Sequence, residues 1–201
     1  MKAAEWDTRY AEQPGMWGEE PNATVASLLA GSAPGTAVDL ACGDGRNAAW
    51  LARNRWTVTG VDFSGVAIHA AHARPSAPGT VDWVVADVAA WSPSAAVDLV
   101  LVAYLHLPPP SLGDLLARAA GWLRPGGRLV YLGHARENLT HGVGGPPDPA
   151  VLPTVGLLAE ALDGSCVSRL EHVDRPTDAG HAIDVLAVVT PWGAETRPRP
   201  S

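Results

Sequence analysis

Apolar positions along the chain gather into short, nearly uninterrupted runs, separated by stretches where small and apolar residues recur at helical spacing. The runs "TAVDLAC", "WTVTGVDF", "TVDWVVAD", "VDLVLVAYL" and "GGRLVYLGH" read as five strands. Between them, "GRNAAWLARN" (45–54), "SGVAIHAAHA" (64–73) and "SLGDLLARAAGWL" (111–123) read as helices. Such alternation predicts a parallel sheet, and strands without polar alternation predict helices on both faces. The third helix is expected to open on a capping box, Ser111 to Asp114, and to stop at Pro125-Gly126-Gly127.

The rhythm then changes. "SCVSRLEHVDRP" and "HAIDVLAVVTP" are strand-like runs separated only by "TDAG", which predicts an antiparallel hairpin. Upstream of the first strand, "EPNATVASLLAG" reads as a helix, preceded by an aromatic segment with Trp6, Tyr10 and Trp17. Residues 1–191 are expected to form one domain, and 192–201, ending "RPRPS", a disordered tail.

Composition narrows the chemistry. The 201 residues are 47% hydrophobic, enough for a sizeable core. A formal net charge of −7 argues against nucleic acid, which needs clustered Lys and Arg to displace counterions. Cys42 and Cys166 form no CxxC pair, so neither a disulfide framework nor a metal site is expected, and a reducing, cytoplasmic setting follows. No apolar run reaches the length of a membrane span, so no membrane partner is expected.

The chemistry concentrates in "AVDLACGDGRNAAWLA" (37–52). In an open parallel sheet the ligand lies beyond the carboxyl ends of the strands, so the loop after the first strand is the place to look. Gly43 and Gly45 permit a tight turn, and a helix starting near Gly45 offers free N–H groups to an anion. A pyrophosphate is disfavoured by Asp39 and Asp44, which suit a ligand carrying positive charge. S-adenosylmethionine has that distribution: ammonium, sulfonium and carboxylate on one small molecule. Its carboxylate can use the helix amides and Arg46; Asp62, closing the second strand, can accept from both ribose hydroxyls; Asp87, closing the third, lies on the adenine side. The plainer reading of each acid is a helix cap or turn former. Cys42 reads as a small loop residue, and Trp50, Trp56, Trp83 and Trp122 as packing residues.

Through "WDTRY", "WGEEPN", "DLACGDGRN", "VTGVDFS" and "GVGGPPDP" the chain resembles the class I S-adenosylmethionine-dependent methyltransferases, and is similar to bacterial small-molecule enzymes of the tellurite-resistance and thiopurine groups. The resemblance implies an α/β, Rossmann-like, seven-stranded, mostly parallel sheet with a C-terminal antiparallel hairpin, and S-adenosylmethionine as cofactor, leaving as S-adenosylhomocysteine. It implies cofactor contacts from Asp39, Ala41, Cys42, Gly43, Gly45, Arg46, Asp62, Phe63, Asp87 and Val88, and a helical lid over residues 1–34 in which Trp17 covers the cofactor. Ala41 departs from the family's first glycine, which matters only if the backbone there needs a positive φ.

Methyl transfer from a sulfonium needs chiefly alignment and exclusion of water; a base is needed for hard nucleophiles such as alcohols. In "YLHLPPP", Tyr104 and His106 follow the fourth strand and are expected to face a small-molecule acceptor, with His106 as base or orienting group; a His capping a loop is the plainer alternative. His134, ending the fifth strand, is a second catalytic candidate. "ARENLTHGVGGPPDP" is expected to form an irregular lid or disordered connection in which Arg136 and His141 meet substrate. The triple proline lacks the acid or amide and the aromatic neighbour of nucleic-acid amino-methyltransferases, and reads as the start of a helix. The acceptor atom, a non-methylating reaction on the same fold, a cofactor-binding regulatory role and oligomeric state all stay open.

Overall fold

The apolar runs become seven strands, β1 (Thr36–Leu40), β2 (Thr57–Asp62), β3 (Val81–Val85), β4 (Val97–Ala103), β5 (Leu123–His134), β6 (Cys166–Thr177) and β7 (Gly180–Thr190). They form one sheet in the order β3-β2-β1-β4-β5-β7-β6. β1, β2 and β3 pair in parallel, whereas β7 pairs antiparallel with both β5 and β6. The expected mostly parallel sheet with an antiparallel hairpin is therefore the observed one. This computed structural model describes residues 3–75, 81–163 and 165–191, so the expected tail at 192–201 and much of "RPSAPG" lie outside the described residues.

The chain divides into two compact units. The first holds residues up to Ser94 together with Leu101–Ala103; the second holds Ala95–Val100 and the residues from Tyr104 onward. In the first, helices α1 (Ala3–Glu12), α2 (Ala23–Leu29), α3 (Arg46–Arg53) and α4 (Gly65–His72) accompany β1 to β3. Its core includes Val25, Leu29, Val38, Leu40, Leu51, Val58, Val61 and Ile68, each at most 4% exposed, and each such buried aliphatic contributes about 1.5–3 kcal/mol. Trp83 on β3 lies against two glycines: a Cβ added at Gly45 or Gly60 would stand 2.3 or 2.5 Å from its ring. That contact is why a strand-interior glycine, Gly60, is found here.

In the second unit, α5 (Pro109–Ala120) packs on β5 and on α7 (Val155–Ala161), with Gly113 allowing the close approach to Ala161. Two expectations about α5 are corrected. It starts at Pro109, with Pro108 at the cap, so Ser111 lies inside the helix and the expected capping box does not open it. Pro109 and Pro110 occupy positions whose N–H groups have no helical partner in any case. The helix also ends at Ala120, capped by Gly121, and Pro125-Gly126-Gly127 belong to β5. The stretch expected to be irregular contains a short helix, α6 (Asn138–His141), and a 3-10 turn at Pro149–Val151. Asn138, 3% exposed, organises it by donating to the Val143 and Gly144 carbonyls and accepting the Ile183 N–H. No helix among the described residues is long and apolar enough to cross a membrane.

Candidate active site

In the first unit the glycine turn lies between β1 and α3. Asp39, 1% exposed, accepts a hydrogen bond from the Ala48 N–H near the α3 N-terminus, while its Oδ2 is buried without a hydrogen-bond partner among the described residues. Burial pushes its pKa up to about 7, opposed by the Ala48 N–H and reinforced by the neighbouring charge of Asp62. A carboxylate in this state has an unmet demand for a cation or a donor.

Asp62 closes β2 and holds the turn in place. Oδ2 accepts the Gly43 N–H at 2.9 Å and Oδ1 the Ser64 N–H at 2.9 Å. Burial raises its pKa against those hydrogen bonds. Gly43 and Gly45 both have positive φ, +57° and +82°. Ala41 does too, at +55°, so the substitution that looked harmless if φ were negative places a Cβ where one is disfavoured.

Asp44 differs from the sequence expectation: Arg74 Nη2 pairs with its Oδ2 at 2.5 Å, which balances its charge within the protein. Of the two acids expected to attract positive charge, Asp44 is ion-paired, whereas Asp39 feels the charge of Arg46 but forms no ion pair among the described residues. Cys42 is buried, and burial, followed by the charges of Asp39 and Asp62, raises its thiol pKa well above the ordinary value, as fits a loop residue. Arg46 donates to the Trp17 carbonyl at 2.8 Å. Phe63 is half-buried, Val88 buried, and Asp87 exposed, with Oδ1 accepting the Ala89 N–H at 2.8 Å as a turn former would.

The aromatic segment meets this turn. Tyr10, 8% exposed, sets its hydroxyl against Gly43, where an added Cβ would stand 2.4 Å away, and Trp17 Nε1 donates to that hydroxyl at 3.4 Å. Asp7 on α1 accepts from the Ser64 hydroxyl at 2.5 Å and the Val66 N–H at 3.3 Å, fixing α1 on the start of α4. Arg9 lies over both Trp6 and Trp17.

In the second unit Tyr104, His106 and His134 come together. The rings of His106 and His134 stack at 5.6 Å, and those of Tyr104 and His134 are 5.2 Å apart. The base role expected of His106 does not fit. Its Nε2 already accepts the His134 backbone N–H at 3.2 Å, and burial, then the neighbouring His134, lowers its pKa to about 4. His106 clasps the ends of two strands, the plainer of its two readings. Tyr104 has φ +60°, and its hydroxyl donates to Asp184 Oδ2 at 2.6 Å. Asp184, fully buried, also takes Arg175 Nε at 2.7 Å and lies 3.1 Å from His134 Nδ1. Burial alone would raise its pKa, but the approach of His134 and the hydrogen bonds from Arg175 and Tyr104 outweigh that and hold it below the ordinary carboxylate range. Arg136 and His141 are exposed.

Sequence reasoning missed Asp184, Arg175, Tyr10 as a contact of the turn, and Arg74. Asp184 left a signal, a lone carboxylate inside the apolar run "AIDVLAVV"; Arg175 left none.

The residues present fit S-adenosylmethionine: a buried carboxylate oxygen without a hydrogen-bond partner among the described residues, beside a helix N-terminus and next to a turn where backbone rather than side chain is presented. Residues 37–127 match a methyltransferase domain model, and that stretch runs through both units. The chain is 29% identical over 209 aligned positions to trans-aconitate 2-methyltransferase of Methylobacterium radiotolerans, covering 90% of this chain and 78% of that protein. It is 40% identical over 98 residues to the protein of the same name from Azoarcus sp., covering 47% of this chain and spanning 37% of that relative's length. Solved structures with the same fold include TehB from Haemophilus influenzae (TM-score 0.69, 13% identity, 93% of this chain and 67% of that one). Another is 1,6-didemethyltoxoflavin-N1-methyltransferase of Burkholderia thailandensis, solved with S-adenosylhomocysteine (TM-score 0.68, 22% identity, 94% and 87%). Strand order and solved neighbours agree on one fold, that of these methyltransferases, and within it residues 37–127 are similar to a methyltransferase domain.

Proposed function

We propose that the protein transfers the methyl group of S-adenosylmethionine to a small-molecule acceptor. The observation that carries this reading is the buried Asp39 oxygen without a hydrogen-bond partner among the described residues, beside the N-terminus of α3. Asp39 would take the ammonium group, and the turn from Ala41 to Arg46 the carboxylate end. Asp62 would take the ribose hydroxyls with the acceptor capacity left after Gly43 and Ser64, and Phe63, Asp87 and Val88 would border the adenine. Tyr10 and Trp17 would exclude water. When bound, the cofactor supplies an electrophilic methyl on a good leaving group, so the protein's work is alignment and, for a protonated acceptor, removal of a proton.

On the acceptor side we assign Tyr104 and His134 as the groups that contact substrate, with His106 holding the backbone beneath them. Trans-aconitate, named by both curated relatives, is the first acceptor to try.

Calorimetric titration with S-adenosylmethionine, S-adenosylhomocysteine and, as control, NAD tests the cofactor half. Transfer of radiolabelled methyl to trans-aconitate and to a panel of small hydroxy, amino and thiol compounds tests the other. Binding of both sulfur ligands but not NAD, with labelled product from one acceptor, is the expected result. No binding of either sulfur ligand would sink the reading; binding without transfer across the panel would favour a regulatory role.

A further inference from the structure

His134 and Asp184 are direct partners in the antiparallel β5–β7 register, so the strands themselves bring the imidazole and the carboxylate together. Asp184 is held from three sides: Tyr104 from the β4 end, Arg175 from β6 and His134 from β5. The groups facing His134 are Asp184, Tyr104 and His106, with Arg175 and the buried Tyr131 reaching it through Asp184.

A carboxylate that accepts from Tyr104 and Arg175 stays ionised and can only accept, so a neutral His134 beside it is favoured with its proton on Nδ1. The Nδ1 to Oδ1 distance is 3.1 Å, an ion-pair approach without hydrogen-bond alignment. Nε2 is then the bare nitrogen, and it makes no hydrogen bond among the described residues. Its neighbour is the backbone of Gly145, with φ +82°, where an added Cβ would stand 2.8–3.2 Å from the ring. The glycine in "GVGGPP" thus packs directly on the imidazole, where a side chain would collide with it.

We infer that His134 is the proton acceptor for the substrate and that Asp184 is its positioning residue, which suits an acceptor whose attacking oxygen or nitrogen still carries a proton, an alcohol or amine rather than an ionised carboxylate such as those of trans-aconitate. This rests on the methyl-transfer reading above. In the step, the acceptor atom bonds to the methyl carbon, the carbon–sulfur bond breaks with its electron pair going to sulfur, and the acceptor's proton passes to His134 Nε2. Arg175 and Tyr104 keep Asp184 ionised and fixed while charge develops on the ring.

Two measurements on the full chain test this without knowledge of the acceptor. Nitrogen-15 NMR of the histidine rings at pH 7.5 is expected to show His134 protonated at Nδ1 and bare at Nε2. Diethyl pyrocarbonate, which acylates bare imidazole nitrogen, is expected to modify His134 faster than His106, and Asp184→Asn to slow the His134 reaction by about tenfold or more. Should Asp184→Asn fail to fold by thermal melt, Tyr104→Phe is expected to slow it in the same direction. A His134 protonated at Nε2, or a rate unchanged in a folded variant, overturns the inference. S-adenosylmethionine titration of the same samples separates the two readings, because loss of cofactor binding in the wild type sinks the methyl-transfer proposal while leaving the tautomer result to stand or fall alone.

Discussion

Asp62 Oδ2 accepts the Gly43 N–H at 2.9 Å, tying the end of β2 to the middle of the glycine turn. The acid proposed for the ribose hydroxyls is therefore also a structural strut. Asp62→Ala removes two hydrogen bonds from a charged acceptor, each worth about 1.5–3 kcal/mol, before any ligand is considered. Asp62→Ala is expected to lower the melting temperature of the free protein as well as cofactor affinity. Differential scanning calorimetry without ligand checks this; an unchanged melt would show that the turn holds itself.

Asp39→Asn is expected to separate stability from binding. The folded pKa of about 7 lies above the ordinary value of 3.8, so between those values the folded state binds more protons than the unfolded one. The sign follows: Asp39's contribution to stability falls as pH rises through that window and levels off above it. Asp39→Asn should flatten that part of a urea-midpoint profile and be the more stable protein at pH 8, while losing S-adenosylmethionine binding. In the wild type, cofactor binding at pH 6 should release protons, seen as a binding enthalpy that depends on the buffer's ionisation enthalpy. A wild-type profile identical to the variant's would place Asp39 in its ordinary ionised state.

Ala41→Gly should stabilise the protein. The left-handed conformation costs an L-residue about 1–2 kcal/mol, against about 0.5–1 kcal/mol for the extra freedom glycine loses on folding. A net gain of about 0.5–1 kcal/mol is expected from urea midpoints at unchanged slope. A loss would mean that the methyl group's packing outweighs the backbone strain.

Gly60→Ala pushes a methyl group into the Trp83 ring and is expected to cost about 1–3 kcal/mol. Trp83→Leu should relieve most of that added cost, so the pair is strongly non-additive in a double-mutant cycle. Additive losses would show that the ring shifts freely.

The sequence disclosed the strands because each is a compact apolar run, and it disclosed the glycine turn because Asp39, Gly43, Gly45 and Asp62 sit at strand ends in recognisable spacing. The limits of α5 were hidden because three successive prolines can begin a helix as easily as precede one, and α7 was overlooked although Thr154 caps it ahead of Leu157 and Leu158. Ala41 conceals its own left-handed φ, since alanine ordinarily signals the opposite. Asp184 stood out as a charge among apolar neighbours, but its tie to His134 depends on a pairing register that links residues 134 and 184. Arg74 is likewise distant in sequence from Asp44, whose charge it balances.

β7 follows β6 in the chain yet lies between β6 and β5, a placement with a consequence for biosynthesis. A ribosome releases Tyr104 and His134 well before the strand carrying Asp184, and Arg175 just before it, so through much of synthesis the first two side chains lack the carboxylate that gathers them. A nascent chain stalled before residue 184 would have every candidate acceptor-side group except the one that orders the rest, and a premature stop there should yield an inert product rather than an unregulated methyltransferase.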